Sequence, residues 1–208
     1  MRTRIGLVAA LGTTLLLSGC IMPGSDDESD AAEPPPAPTT SAPAPAPPQA
    51  SPPGGGAQVT PPGTALRVGQ RAVVPYERAG VTGTLGITVT AIEPGDQATF
   101  RQRFGARAAG MVPFYIRYTV ENVGGTDLSR GSAPLLEGVG PGGSSTGAVV
   151  IGTMDGCERG RPDDSFAVQG AKYESCRLQA ARQGGTVAGA AYEEDEGGYR
   201  DSPVIWTN

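Results

Sequence analysis

Between residues 112 and 121 the chain alternates with a period of two. Val112, Phe114, Ile116, Tyr118 and Val120 fall on one face, and Tyr115, Arg117, Thr119 and Glu121 fall on the other. The alternation predicts a half-buried β-strand, because successive side chains of an extended backbone point to opposite sides. Asn122-Val123-Gly124-Gly125 then supplies residues that turn a chain. An earlier run groups Leu85, Ile87, Val89 and Ala91 on one face and stops at the turn sequence Glu93-Pro94-Gly95-Asp96. Ala72 to Tyr76 is expected at a sheet edge, since Pro75 has no N–H to give to a ladder. Further strands are predicted near Ala148–Ile151, Tyr173–Ala180, Thr186–Tyr192 and Val204–Thr207. Cys176, Leu178 and Ala180 share parity, which turns Cys176 inward. Seven or eight short strands without a long helical pattern predict an all-β fold, an antiparallel sandwich.

One stretch departs from that period. Phe100 and Phe104 are spaced as on one face of a helix, with Arg101, Arg103 and Arg107 splayed around them. A short helix or turn capping the sandwich, with the Phe rings in the core, explains the spacing. The same arginines are the candidate binding patch, suited to an anionic wall polymer or to lipid headgroups. A second candidate is the run Glu193, Glu194, Asp195 and Glu196 ahead of Gly197-Gly198. Carboxylate oxygens suit calcium, but the spacing is not that of an EF-hand loop, so a solvated hairpin tip is expected and no metal ligand is assigned.

The first 63 residues contain no such strands. Arg2 and Arg4 precede an apolar stretch from Ile5 to Leu17, which is shorter than the roughly 20 residues that span a bilayer. It ends in Leu17-Ser18-Gly19-Cys20, which resembles the lipobox of a bacterial lipoprotein signal peptide. The resemblance implies that residues 1–19 are removed and that the Cys20 sulfur carries a diacylglyceryl group, with palmitate as an acyl chain. Residues 20–63 hold an acidic patch of Asp26, Asp27, Glu28, Asp30 and Glu33, then a Pro/Ala/Thr/Ser tract. That composition has too few apolar side chains to offset chain entropy, so a disordered linker is expected. Its prolines favour polyproline II, a spacer reaching on the order of 100 Å when stretched. Residues 64–208 are left as the folded domain.

Composition narrows the chemistry. The 208 residues carry a formal charge of −5, and there is no histidine. Ser-His-Asp and Cys-His nucleophiles and imidazole metal sites are therefore excluded. The domain from residue 64 holds 14 basic and 16 acidic residues, a balance that points neither to nucleic acid nor to strong overall attraction to a membrane surface. With Cys20 assigned to lipid, Cys157 and Cys176 remain. In an oxidising compartment that pair is expected as a disulfide.

The lipobox, the Pro-rich linker, the strand from Pro113 to Asn122, the Cys157/Cys176 pair and the closing Pro203-Val204-Ile205-Trp206 together resemble actinobacterial lipoproteins with a telokin-like, immunoglobulin-like domain. Small secreted mycobacterial immunogenic proteins are similar in architecture. The resemblance implies an immunoglobulin-like β-sandwich on the outer face of the cell membrane and brings no catalytic residues. The expected function is a non-catalytic, membrane-anchored binding module without a cofactor, with an envelope protein or wall polymer as partner. An accessory subunit of another envelope protein is the first alternative. A glycan hydrolase is the second, using paired carboxylates such as Glu121 with Glu137 or the Glu193 cluster.

Overall fold

The period-two stretch is the central strand of a sheet. In the computed structural model, which describes residues 57–78 and 80–208, it extends over Met111–Asn122 (β4). Preceding it are β1 (Ala65–Arg67), β2 (Arg71–Arg78) and β3 (Val81–Pro94), with an α-helix, α1 (Gln97–Phe104), between β3 and β4. After it come β5 (Leu136–Val139), β6 (Lys172–Arg182), β7 (Gly189–Tyr192) and β8 (Val204–Thr207). The strands form two four-stranded sheets, ordered β2-β3-β4-β6 and β1-β8-β7-β5. The predicted lipidation site Cys20, the signal segment and most of the linker lie outside the described residues.

Alternation buries one face of each sheet against the other. Phe114, Ile116, Tyr118 and Val120 of β4 join Val74, Leu85, Ile87 and Val89 from their own sheet. Across the interface they meet Leu136, Tyr192, Val204 and Trp206. The result is a β-sandwich. Its aromatic residues bury their rings and pass their polar tips to backbone carbonyls of loops or of the facing edge strand, as buried Tyr and Trp must. Trp206 Nε1–H donates to Gln70 O at 2.9 Å, Tyr118 O–H to Pro134 O at 2.8 Å, and Tyr192 O–H to Pro75 O at 3.0 Å. Tyr199 O–H reaches Thr60 O at 2.6 Å, and Thr60 N–H donates to Val73 O, so hydrogen bonding to the sheets begins upstream of Thr64. Among the described residues both apolar clusters lie within one compact unit, Ala50–Asn208.

Several expectations hold. β2 is an edge strand and carries Pro75. The turn after β4 is built on Asn122, whose Oδ1 accepts from Gly125 N–H while Nδ2 donates to Thr126 O and Phe166 O. Gly125 sits at φ +74°, where a side chain is strained. Four expectations are corrected. Ala91 does not share the face of Leu85, Ile87 and Val89, because a bulge between Val89 and Ala91 shifts the register and brings Ile92 to the core instead. The sandwich is not wholly antiparallel, since β1 runs parallel to β8. Cys176, Leu178 and Ala180 are buried, but on the opposite side of their sheet from the sandwich core.

The fourth correction concerns Ala148–Ile151, which is not a strand. Its alternation is real: Ala148 and Val150 pack inward, while Val149 and Ile151 are 79% and 87% exposed. Gly147 and Gly152, both at positive φ, bracket it, and it pairs with no strand. An extended segment needs a partner as well as a period to join a sheet.

Candidate functional site

The outer face of the β2-β3-β4-β6 sheet is covered at one end by a second, smaller core. Phe100, Ala108, Tyr115, Met154, Cys157, Cys176, Leu178 and Ala180 form it. The helix that delivers Phe100 is the one predicted from the aromatic spacing, but the Phe100 ring enters this outer core and not that of the sandwich, because the helix lies on the outer face of the sheet. Asp96 starts it by accepting from Thr99 N–H at 2.6 Å. Hydrogen bonds from the Thr99 hydroxyl and N–H hold the Asp96 carboxyl below its ordinary range. Phe100 is fully buried and meets Phe104 with ring centroids 4.9 Å apart, Phe104 being only half-buried.

The disulfide completes this cap. Cys157 and Cys176 are bonded, with Cα atoms 5.0 Å apart, as the cysteine count predicts. The bond fastens the loop from Gly152 to Gly160 against β6, the outermost strand of its sheet. Cys176 N–H donates to Glu158 O at 3.1 Å, and Gly160 N–H to Ser175 Oγ at 3.1 Å. A Cβ on Gly160 would stand 1.8 Å from Glu174 O, so only glycine permits this approach. The loop thereby occupies hydrogen-bonding groups that an open strand edge would offer to another chain. Tyr115 O–H and an Arg117 amino group donate to Asp155 O and Gly156 O from the sheet below.

Above this cap lies an apolar cleft of about 370 Å³, lined by Phe100, Phe104, Arg107, Met111, Val149, Val150 and Ile151. The three predicted patch arginines are all exposed on the same cap, Arg101 and Arg103 from α1 and Arg107 from the turn after it. Arg182 runs beside Gly147, with its Nε 3.6 Å from where a Cβ there would stand. Among the described residues the ion pairs are Arg71 and Lys172 with Glu121, Arg78 with Glu194, Arg117 with Glu93, Arg177 with Glu137 and Arg200 with Asp195. Arg101, Arg103, Arg107 and Arg182 are in none of them, and neither are Arg67, Arg130, Arg159 and Arg161. Asp155 shares a neighbouring hollow with Arg103 without forming a pair. The cap thus carries four of the arginines outside these ion pairs, together with two exposed aliphatic side chains. The arginines were legible from helical spacing. Val149 and Ile151 were not, because an exposed apolar segment and a strand share one pattern.

The acidic candidates separate. Glu194 accepts from Leu135 N–H and faces Arg78, while Asp195 pairs with Arg200. Glu193 is exposed, its carboxyl raised above the ordinary range first by partial desolvation and then by the Glu137 carboxylate. No group of three or more acidic or cysteine side chains fit to hold a metal occurs among the described residues. Glu121 is engaged by Arg71 and Lys172, and Glu137 by Arg177 and Gln179. Neither carboxylate contacts the other. No helix among the described residues is long and apolar enough to cross a membrane. Comparison with family models, with curated proteins and with solved structures finds no match to this chain.

Proposed function

We propose that this chain is an extracytoplasmic lipoprotein, held at the outer face of a membrane by acyl chains on Cys20, whose β-sandwich head is a non-catalytic binding module of the immunoglobulin-like kind. Similarity of the Leu17–Cys20 motif to a lipobox supports the anchor. The observation that carries the binding reading is the apolar cleft of the cap, where exposed Val149 and Ile151 lie with Arg107, while Arg101, Arg103 and Arg182 stand exposed on the same cap and, among the described residues, in no ion pair. Exposed apolar side chains grouped at a cleft with a polar rim suit a contact surface. The absence of histidine from the sequence and the dispersal of the carboxylates into separate ion pairs favour binding over turnover.

The test is fractionation of cells carrying the chain or its Cys20→Ala variant, with co-purification after crosslinking. The lipidated chain is expected in the membrane fraction and the variant in the medium. Loss of crosslinked material on replacing Arg101, Arg103 and Arg107 by Gln supports the cap as the binding surface. Retention of Cys20→Ala in the membrane refutes the anchor, and unchanged capture by the triple variant refutes the surface. An envelope partner whose abundance falls when the chain is deleted would favour the accessory-subunit alternative.

A further inference from the structure

We infer that the cap docks onto the surface of an anionic lipid bilayer. The inference rests on the proposed role of the cap as the binding surface and names what it binds. Two kinds of group are needed to hold a protein at such a surface: aliphatic side chains free to enter the boundary between headgroups and acyl chains, and cations level with the phosphates. The cap presents both: Arg107 lines the same cleft as Val149 and Ile151, and Arg101 and Arg103 line further hollows of the cap. Val149 and Ile151 project from an extended loop at 79% and 87% exposure. Arg101, Arg103 and Arg107 stand on α1 and the turn that follows it, and Arg182 lies beside Gly147 at the start of that loop.

The loop is built to keep its two aliphatics outward. Ala148 and Val150 are pinned to the second core, and period two leaves Val149 and Ile151 on the other side. Arg182 N–H donates to Thr146 O, and the Thr146 hydroxyl donates to Ala148 O, fixing the near end of the loop to β6 and to itself. A hydrophilic anionic polymer would meet the arginines but leave both aliphatics in water. A bilayer interface accommodates both sets of groups. Guanidinium groups suit lipid phosphate through paired N–H donors.

The test uses the Cys20→Ala chain, which has no sulfur at residue 20 to carry lipid, with vesicles of phosphatidylcholine alone or mixed in equal parts with phosphatidylglycerol. At low ionic strength this chain is expected to sediment with the mixed vesicles and much less with phosphatidylcholine. Replacing Arg101, Arg103 and Arg107 by Gln should weaken that partition by about a hundredfold, each arginine near an anionic surface contributing about fivefold. Val149→Ser with Ile151→Ser should weaken it by roughly tenfold. Unaltered Trp206 fluorescence in both variants shows that the fold is kept. Absence of binding to the mixed vesicles overturns the inference. Binding that depends on the arginines but not on Val149 and Ile151, matched by binding to soluble poly(glycerol phosphate), overturns it in favour of an anionic polymer. If vesicles fail while crosslinking to the cap succeeds in cells, the cap remains the binding surface and only its ligand changes.

Discussion

The β2-β3-β4-β6 sheet has an apolar cluster on each face, and the two are built differently. On the inner face, alternating strands from both sheets interdigitate; Trp206 and Tyr118 anchor distant loops through single hydrogen bonds, and Tyr192 ties its sheet to edge strand β2. On the outer face there is no second sheet. A short helix, two turns and a disulfide make the cover. The inner cluster is built mainly from alternating strand residues, whereas the outer one is joined by a disulfide and by a close approach that only Gly160 permits. That difference has a functional consequence. A sheet buries what it packs, but a loop held at a few points can bury one side of itself and expose the other, as residues 148–151 do.

The largest expected effect is on the inner face. Trp206→Ala removes a fully buried indole and should cost about 3–5 kcal/mol, lowering the denaturant midpoint of the whole domain in one transition. A biphasic transition in the parent chain would show that the two faces unfold separately.

Next in size is the crosslink. Cys157→Ser with Cys176→Ser opens a loop with a sequence separation of 19 and should cost about 3 kcal/mol in the chain-entropy picture. Hydrogen exchange should quicken from residue 146 to residue 160 and around Phe100, while β3 and β4 amides stay the most protected. Equal loss of protection in β4 and in the cap would erase the distinction between the two clusters.

The smallest effect is electrostatic. Burial and the neighbouring Glu137 carboxylate raise the Glu193 carboxyl, so its ionised form is penalised in the folded state. A raised carboxyl favours folding below its unfolded value, and that advantage is lost as pH rises through the folded value. Glu193→Gln should therefore stabilise slightly at neutral pH and have no such effect in acid below the ordinary carboxylate range. Solvent screening at this exposed position keeps the gain small. A Tm difference from the parent that does not vary between pH 3 and pH 7 would contradict the assignment.

Much of the inner face was legible in the sequence. β4 announced itself through five alternating residues, β2 through Pro75, and the turn after β4 through Asn122 and Gly125. β3 was legible up to its bulge, which no local pattern marks. β1 and β5 were missed for a physical reason. Ala65-Leu66-Arg67 offers one large apolar side chain and joins its sheet by parallel pairing with β8 near the chain's other end, so no hairpin signal exists. Leu136-Glu137-Gly138-Val139 likewise has too little alternation to stand out. On the outer face the helix and the cysteine pair were legible, because spacing and parity suffice for both. The face on which Cys176 lies was not, since parity groups residues without saying which side is the sandwich core.

Position-specific crosslinking in intact cells measures most directly which surface works. A photoreactive residue at Ile151 on the cap, compared with one at Thr207 on the β1-β8-β7-β5 sheet, separates the two faces of the molecule. Lipid adducts at residue 151, with none at residue 207, are the predicted result. Equal labelling at both positions, or adducts confined to residue 207, would contradict it.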